Sequence, residues 1–542
     1  MIDKSCVKCE KPSNSFCTNC KLVHYCSREC QKADWKTHKT QCRPFEIKKD
    51  EKFGRYLKAN RDVEADTIVV SEPPCIIGPK WNNEDEDPSS FTFFCVGCFE
   101  ALKDLRTKCP NCLWPCCSEE CIGLISEELH AIECAFLKAG RGPANKTSIK
   151  SVKEYFRQDA LLALKILILQ RRNPKKFKSL MEMEDNAENR LLTLNFKEAE
   201  DRINYLEDNF LKPLKKAEDK SNQVVLPIKD KKILHKIFGI IETNAMYINL
   251  ANGNEICGLY PIGCLLEHSC LPNCSYSFDM KNGFKINVKA AREIKADEHL
   301  TTTYSHILWS TQLRQQHLKD AKYFTCSCER CKDPTELGTH FSTLRCLGSD
   351  ESPCNGYQLP TNPISPNAEW ACNKCPMRIK SDQVSFLTAR MNDEIEKVFA
   401  SSPTCEVLEE LIEKLSQFLH PTHYHMFTLK HALLQLYGKH KDCPIESLSE
   451  EVLLKKLNLC NELLQIVQTL DPYAIRIPIY IGILYFEKHV ALKEMIKRNN
   501  NCANIEDARK CLEEAERILK NETDTEQGKQ LIQRVADALL NI

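Results

Sequence analysis

Eight ligand-type residues crowd into the first 42 positions: Cys6, Cys9, Cys17, Cys20, Cys26, Cys30, His38 and Cys42, at intervals C-x2-C-x7-C-x2-C-x5-C-x3-C-x7-H-x3-C. Thiolates and imidazole are the donors that tetrahedral structural zinc prefers, and eight of them fill two closed sites with no position left for water. A segment this short cannot stabilise itself by apolar burial, so the metals supply its folding energy and the finger is scaffold and contact surface. The pattern returns at Cys95, Cys98, Cys109, Cys112, Cys117, Cys121, His130 and Cys134, where "CSEEC" mirrors the earlier "CSREC". This internal repeat reads as a second two-zinc finger, the alternative being a single-zinc knuckle with spare thiols. Cys116 takes the place of Tyr25 and is not expected to bind metal.

Thirty-two cysteines in 542 residues would suit a disulfide-rich secreted chain. The opening "MIDKSCVKCEKPSN", however, puts charge and cysteine where a signal peptide needs an apolar run, so a reducing compartment and metal-bound thiols are expected. The longest apolar run, "ALLALKILIL" from Ala160, contains a lysine and is too short for a bilayer, which predicts a soluble chain with no membrane partner, and 542 residues exceed what one core organises, which predicts two to four domains. Basic and acidic residues balance at 75 each, which gives no electrostatic case for strong nucleic-acid binding.

Between the fingers, "FGRYLKANRDVEADTIVVSEPP" reads as a hairpin, with a turn over Asp62 to Asp66 and a β-rich run from Thr67 to Ser71. "GPANKTSIKS" is a linker, and residues 152 to 245 show helical apolar spacing with a Lys-rich exposed side. "FKINVKA" alternates like a half-buried strand before a turn at Lys295 to Glu298. Cys346, Cys354, Cys372 and Cys375 end in a Cys-x-x-Cys knuckle and read as one four-cysteine zinc, the alternative being paired thiols in a loop. From about residue 385 the period is helical; Leu408, Leu411, Leu415 and Leu419, and Ala508, Leu512, Ala515 and Leu519, suit either stacked helix pairs of the tetratricopeptide kind or an ordinary bundle.

The N-terminal intervals, with Tyr25, Gln31 and Trp35, resemble the MYND zinc finger. That resemblance implies one zinc on Cys6, Cys9, Cys26 and Cys30 and a second on Cys17, Cys20, His38 and Cys42. The order "GRYLKA", "EHSCLPNC", "DEHLTTTY", "CSCERC" resembles the SET domain of the SMYD family, and the additional N-terminal finger is similar to its insect-type SmydA subgroup. The resemblance implies an α+β fold: a split SET β-fold with N-terminal and inserted MYND fingers, a post-SET zinc knot and an all-α C-terminal domain. The implied segments are 1–45 (first finger), 46–90 (SET N-terminal part), 91–138 (second finger), 139–245 (helical insertion), 246–310 (SET core), 311–380 (post-SET and extra zinc site) and 381–542 (helices). In the family the segment matching "EHSCLPNC" threads under another to form the S-adenosylmethionine pocket, and its cysteine joins the post-SET cysteines on one zinc. Carried over, that set is Cys270, Cys326, Cys328 and Cys331. About six zincs are then expected, and counting them with twenty-two ligand thiolates brings the net charge to about −10.

The implied activity is methyl transfer from S-adenosylmethionine to lysines of histone or other protein tails, in cytoplasm and nucleus. Tyr304 is the implied catalytic tyrosine, and Gly54, Arg55, Tyr56, Asn244, Glu267, His268, Tyr304 and Phe324 the implied cofactor contacts. Three positions depart from the family. Tyr56 stands where a glycine lets backbone approach the cofactor, Glu267 replaces an asparagine with an acceptor-only carboxylate, and Lys322 replaces an aromatic. These departures leave a second function in view: a SET scaffold of weak or no activity, acting as an adaptor or corepressor whose MYND finger binds proline-containing peptides.

Overall fold

The computed structural model describes residues 5–17, 23–51, 54–80, 94–139, 160–191, 193–212, 230–250, 255–349, 352–439, 443–499, 503–520, 522 and 526–541. The linker read at "GPANKTSIKS" lies outside them. The chain forms two compact units, Met1–Glu267 with Tyr276–Leu300, and His268–Ser275 with Thr301–Ile542.

In the first unit the finger helix Arg28–Gln41 starts at Ser27, whose hydroxyl accepts the Cys30 N–H at 3.2 Å. This N-cap satisfies a donor that the first helical turn leaves open. The chain then enters β1 (Phe45–Asp50), which pairs antiparallel with β2 (Gly54–Ala59) from Phe45↔Ala59 to Asp50↔Gly54. Strand β3 (Ile68–Glu72) pairs instead with β9 (Lys285–Ala290), in a sheet ordered β3-β9-β8 with β8 spanning Cys274–Asp279. The hairpin expected between residues 54 and 72 is therefore corrected: its two strands belong to different sheets. The cause is burial. Val69, Val70 and Ser71 are all buried, and β9 offers them an alternating face of Ile286, Val288 and Ala290, with Ser71 Oγ donating to Asn287 Oδ1 at 2.7 Å. The two turns read from the sequence are present, Asp66 being left-handed at φ 65° and the Glu298 N–H reaching Lys295 O at 3.1 Å.

A third sheet is ordered β4 (Ile76–Lys80), β6 (Glu255–Leu259), β5 (Met246–Asn249). The apolar helix Ala160–Arg172 lies on it so closely that a Cβ at Gly78 would stand 3.1 Å from Leu162 Cβ. Its lysine, Lys165, is fully buried: Nζ donates to Ile77 O at 3.0 Å and to Leu129 O, and faces Glu133 at 3.4 Å. Burial pulls its pKa down and Glu133 opposes the shift.

Strand β7 is the two-residue Glu267–His268. The second unit carries β10 (Thr301–Thr302), the helix Thr311–Lys322, and seven helices from Ser381 to Leu540 among the described residues. All eight apolar positions read as periodic there are buried. Gly482 lets Pro478–Lys497 approach Ile505–Leu519, since a Cβ would stand 2.8 Å from Leu519. Among the described residues no helix is long and apolar enough to cross a membrane.

Candidate functional site

Five groups bring four donor atoms each within 4.8 Å: Cys6, Cys9, Cys26, Cys30; Cys95, Cys98, Cys117, Cys121; Cys109, Cys112, His130, Cys134; Cys270, Cys326, Cys328, Cys331; and Cys346, Cys354, Cys372, Cys375. Their sulfurs stand 3.3 to 3.8 Å apart. A disulfide would be about 2.05 Å, whereas a tetrahedron with zinc–sulfur bonds of about 2.3 Å has edges near 3.8 Å. The donor sets therefore fit zinc. Of the remaining set, Cys17 and Cys42 lie 3.6 Å apart with His38 buried, while Cys20 lies outside the described residues. Cys116 is buried and belongs to none of the five groups.

Within the second finger, His130 Nε2 faces Cys112 Sγ at 3.4 Å while Nδ1 bonds Glu133 at 2.9 Å. A carboxylate behind the ring fixes the tautomer that leaves Nε2 for a metal. In each thiol pair the shared hydrogen bond favours one thiolate at its partner's expense: Cys134 is pulled down to about 4 while Cys112 is pushed far up, and Cys95 is pulled down to about 4 while Cys98 is pushed far up. Cys270 is drawn far below its ordinary value by Cys326, Cys328 and Cys331.

Around the Cys270 group lie charges that sequence reading missed. Arg314 donates to Cys331 Sγ at 3.6 Å and to Glu336 at 2.8 Å, Arg330 reaches the same carboxylate at 2.9 Å, and Arg476 donates to Cys270 O at 2.8 Å. Three guanidiniums with two carboxylates, Glu336 and the buried Asp471 whose Oδ2 accepts the Arg476 N–H at 2.9 Å, sum to +1, which offsets part of the −2 of four thiolates on one Zn2+. No local pattern in the sequence joins residues as distant as 314 and 476.

His268 binds this group to the candidate catalytic tyrosine: Nε2 faces Cys270 Sγ at 3.4 Å, and Nδ1 accepts the Tyr304 N–H at 2.9 Å. The rings of His268, Tyr304 and Phe324 gather at centroid separations of 5.4, 5.9 and 6.5 Å. Asn273 fixes the turn beneath them, its Oδ1 accepting the Thr301 N–H at 2.9 Å. These residues all belong to the second unit.

Gly54, Arg55, Tyr56, Asn244 and Glu267 belong to the first unit. Gly54 is left-handed at φ 65°, as the β1–β2 turn requires. Arg55 donates to Glu182 O at 2.7 Å and Asn244 to Glu184 O at 2.7 Å, so both hold one short segment. The Tyr56 ring stacks on His299 at 4.3 Å and 19°, and His299 Nδ1 bonds Glu267 Oε2 at 2.5 Å. Thus the two departures at Tyr56 and Glu267 meet on a third residue that sequence reading passed over. The only signal for His299 was its place inside "DEHLTTTY".

The SET domain family matches residues 54–305 and the MYND finger family residues 6–42. The SET domain-containing protein SmydA-8, isoform A, of Drosophila melanogaster is 29% identical over 332 residues, covering 59% of this chain and 63% of its own length. The chain thus spans just under two thirds of that relative. A histone-lysine N-methyltransferase of Arabidopsis thaliana, ASHR1, is 25% identical, covering 69% of this chain and 73% of its own. Mouse histone-lysine N-methyltransferase SMYD3 is 40% identical over 100 residues, 18% of this chain and 23% of its own. Among solved structures, the SET domain of LSMT bound to lysine and AdoHcy shares 14% identity, covers 88% of this chain and 97% of its own, and has a TM-score of 0.25.

Proposed function

We propose that this chain, a SET and MYND domain protein of the SMYD family, is a protein-lysine N-methyltransferase that uses S-adenosylmethionine on lysines of histone or other protein tails in cytoplasm and nucleus. The observation that carries the reading is His268, which ties the four-thiol group to the backbone of Tyr304 and so places the tyrosine relative to the metal knot. Gly54, Arg55, Tyr56, Asn244, Glu267, His268 and Phe324 are the residues that would hold the methyl donor. The donor would supply an electrophilic methyl group on a sulfonium; the rest is the work of this chain. The Tyr304 hydroxyl orients the lone pair of a neutral lysine amine, a positioning effect. The faces of Tyr304 and Phe324 receive the apolar methylenes of the lysine stem.

Calorimetry with zinc-loaded protein tests the reading: saturable S-adenosylhomocysteine binding is expected, weakened by Tyr56→Trp. Tyr304→Phe is expected to lower turnover about a hundredfold with little change in binding. No binding at millimolar cofactor would end the proposal.

One observation favours the adaptor reading. A groove of about 380 Å³ beside the first finger is lined by Trp35, Lys39, Arg43, Phe45 and Ile47, with Trp35 and Ile47 exposed. A proline-containing peptide bound there by the full chain, and lost in Trp35→Ala, would support it; equal binding by Trp35→Ala would not.

A further inference from the structure

Lys322 is the last residue of the helix Thr311–Lys322, and its Nζ lies over the Tyr304 ring, 5.7 Å from the centroid. The helix cap sets this position. Tyr323 turns left-handed at φ 60° and ψ 30°, its N–H donates to Lys319 O at 3.2 Å, and the Phe324 N–H reaches back to Leu318 O at 3.5 Å. One tight turn therefore delivers a half-buried ammonium and the Phe324 ring into the same cluster, beside His268. An ordinary surface lysine extends its charge into water; this one lies against the face of the residue assigned to orient an acceptor amine.

We propose that Lys322 is a self-methylation site, an acceptor that the chain supplies to its own Tyr304. The proposal rests on the methyl-donor reading above. In the step, the neutral Nζ donates its lone pair to the methyl carbon of S-adenosylmethionine. An N–C bond forms as the S–C bond breaks, the sulfonium becomes a neutral thioether, and the proton shed by the amine passes to water. Four flexible methylenes let Nζ move from the ring face toward the hydroxyl. The product keeps its charge and becomes less hydrated, a change that aromatic faces favour. Methylated Lys322 is thus held in the cluster where an incoming lysine would sit.

The test incubates zinc-loaded full-length protein with S-adenosylmethionine carrying a deuterated methyl group, then digests at glutamate and reads the Lys322 peptide by mass spectrometry. The label is expected on Lys322 at a first-order rate independent of protein concentration, about tenfold slower or more in Tyr304→Phe. Lys322→Arg should remove the label from that peptide. Label on other lysines or on added histone with none on Lys322 overturns the inference and leaves the methyl-donor reading standing, and a rate that scales with protein concentration overturns the intramolecular route. Absence of S-adenosylhomocysteine binding in parallel calorimetry overturns both.

Discussion

The ring of Tyr56 lies flat on His299, and the same imidazole holds Glu267 through Nδ1. A stacked ring pair contributes about 0.5–1.5 kcal/mol beyond its buried area, and the carboxylate orients the ring that carries it. Tyr56 and Glu267 should therefore be energetically coupled although their link is indirect. In a double-mutant cycle of Tyr56→Ala and Glu267→Gln, read by urea unfolding of zinc-loaded protein, a coupling of about 1 kcal/mol is expected. It should vanish in a His299→Ala background, and a coupling that survived there would dismiss the assembly. Metal ligands were legible because their spacing is local: Cys117 and Cys121, or Cys372 and Cys375, declare themselves within a few residues. His299, Arg314 and Arg476 were not, because each acts on a partner that only tertiary folding brings near.

Between the helices Cys405–Ser416 and Glu450–Leu470 runs Tyr424–Leu436, with an unusual set of imidazoles on or near it, His423 and His425 buried and His340, His420 and His431 half-buried. Burial pulls His420, His425 and His431 down to about 4, lowers His340, and takes His423 well below its ordinary value. His423 Nδ1 accepts the His425 N–H at 3.2 Å, which leaves the proton on Nε2, an atom with no acceptor among the described residues. Each folded-state pKa lies below the unfolded value of about 6.5, so the unfolded chain binds more protons in that window. The stability these groups allow is whole above about pH 6.5 and is lost as pH falls toward 4, at about 1.4 kcal/mol per pH unit for each group. Thermal unfolding from pH 7.5 to 5 should show a steeper decline for the parent than for His423→Leu, and parallel curves would refute this. The periodic helices were readable because Leu408, Leu411 and Leu415 bury one face of one element. The error at β3 has the opposite origin: a strand seeks the partner that covers it best, and for Val69 and Val70 that partner lies more than two hundred residues away.

Across the whole molecule the formal charge is zero, yet metal and thiolate redistribute it. Each four-cysteine zinc carries −2, and the groups differ in how the chain answers that charge. Near Cys270 the answer is buried: Arg314, Arg330 and Glu336 are almost wholly enclosed, and Arg476 is held in place by bonds to Cys270 O and Thr303. Near Cys346 the sulfurs receive only a neutral amide donor, Gln358, at 3.4 Å among the side chains described. Removing zinc returns most of the thiolates to neutral thiols. At the Cys270 group that removes most of the negative charge facing Arg314, Arg330 and Arg476, whose remaining carboxylates are Glu336 and Asp471, and so costs stability; at the Cys346 group no such cluster of guanidiniums is left facing the sulfurs. Elemental analysis should find about six zincs per chain, from five complete four-donor groups and the set that includes Cys20. Graded chelation followed by hydrogen exchange should then separate the two kinds of site. Zinc lost from Cys346, Cys354, Cys372 and Cys375 should raise exchange only in the short strands that carry them. Zinc lost from Cys270, Cys326, Cys328 and Cys331 should open the helix Thr311–Lys322 and the turn before Pro478 together. Exchange in that helix that stayed slow after the Cys270 metal had left would show that the guanidiniums do not depend on the thiolates, and the charge argument would fall.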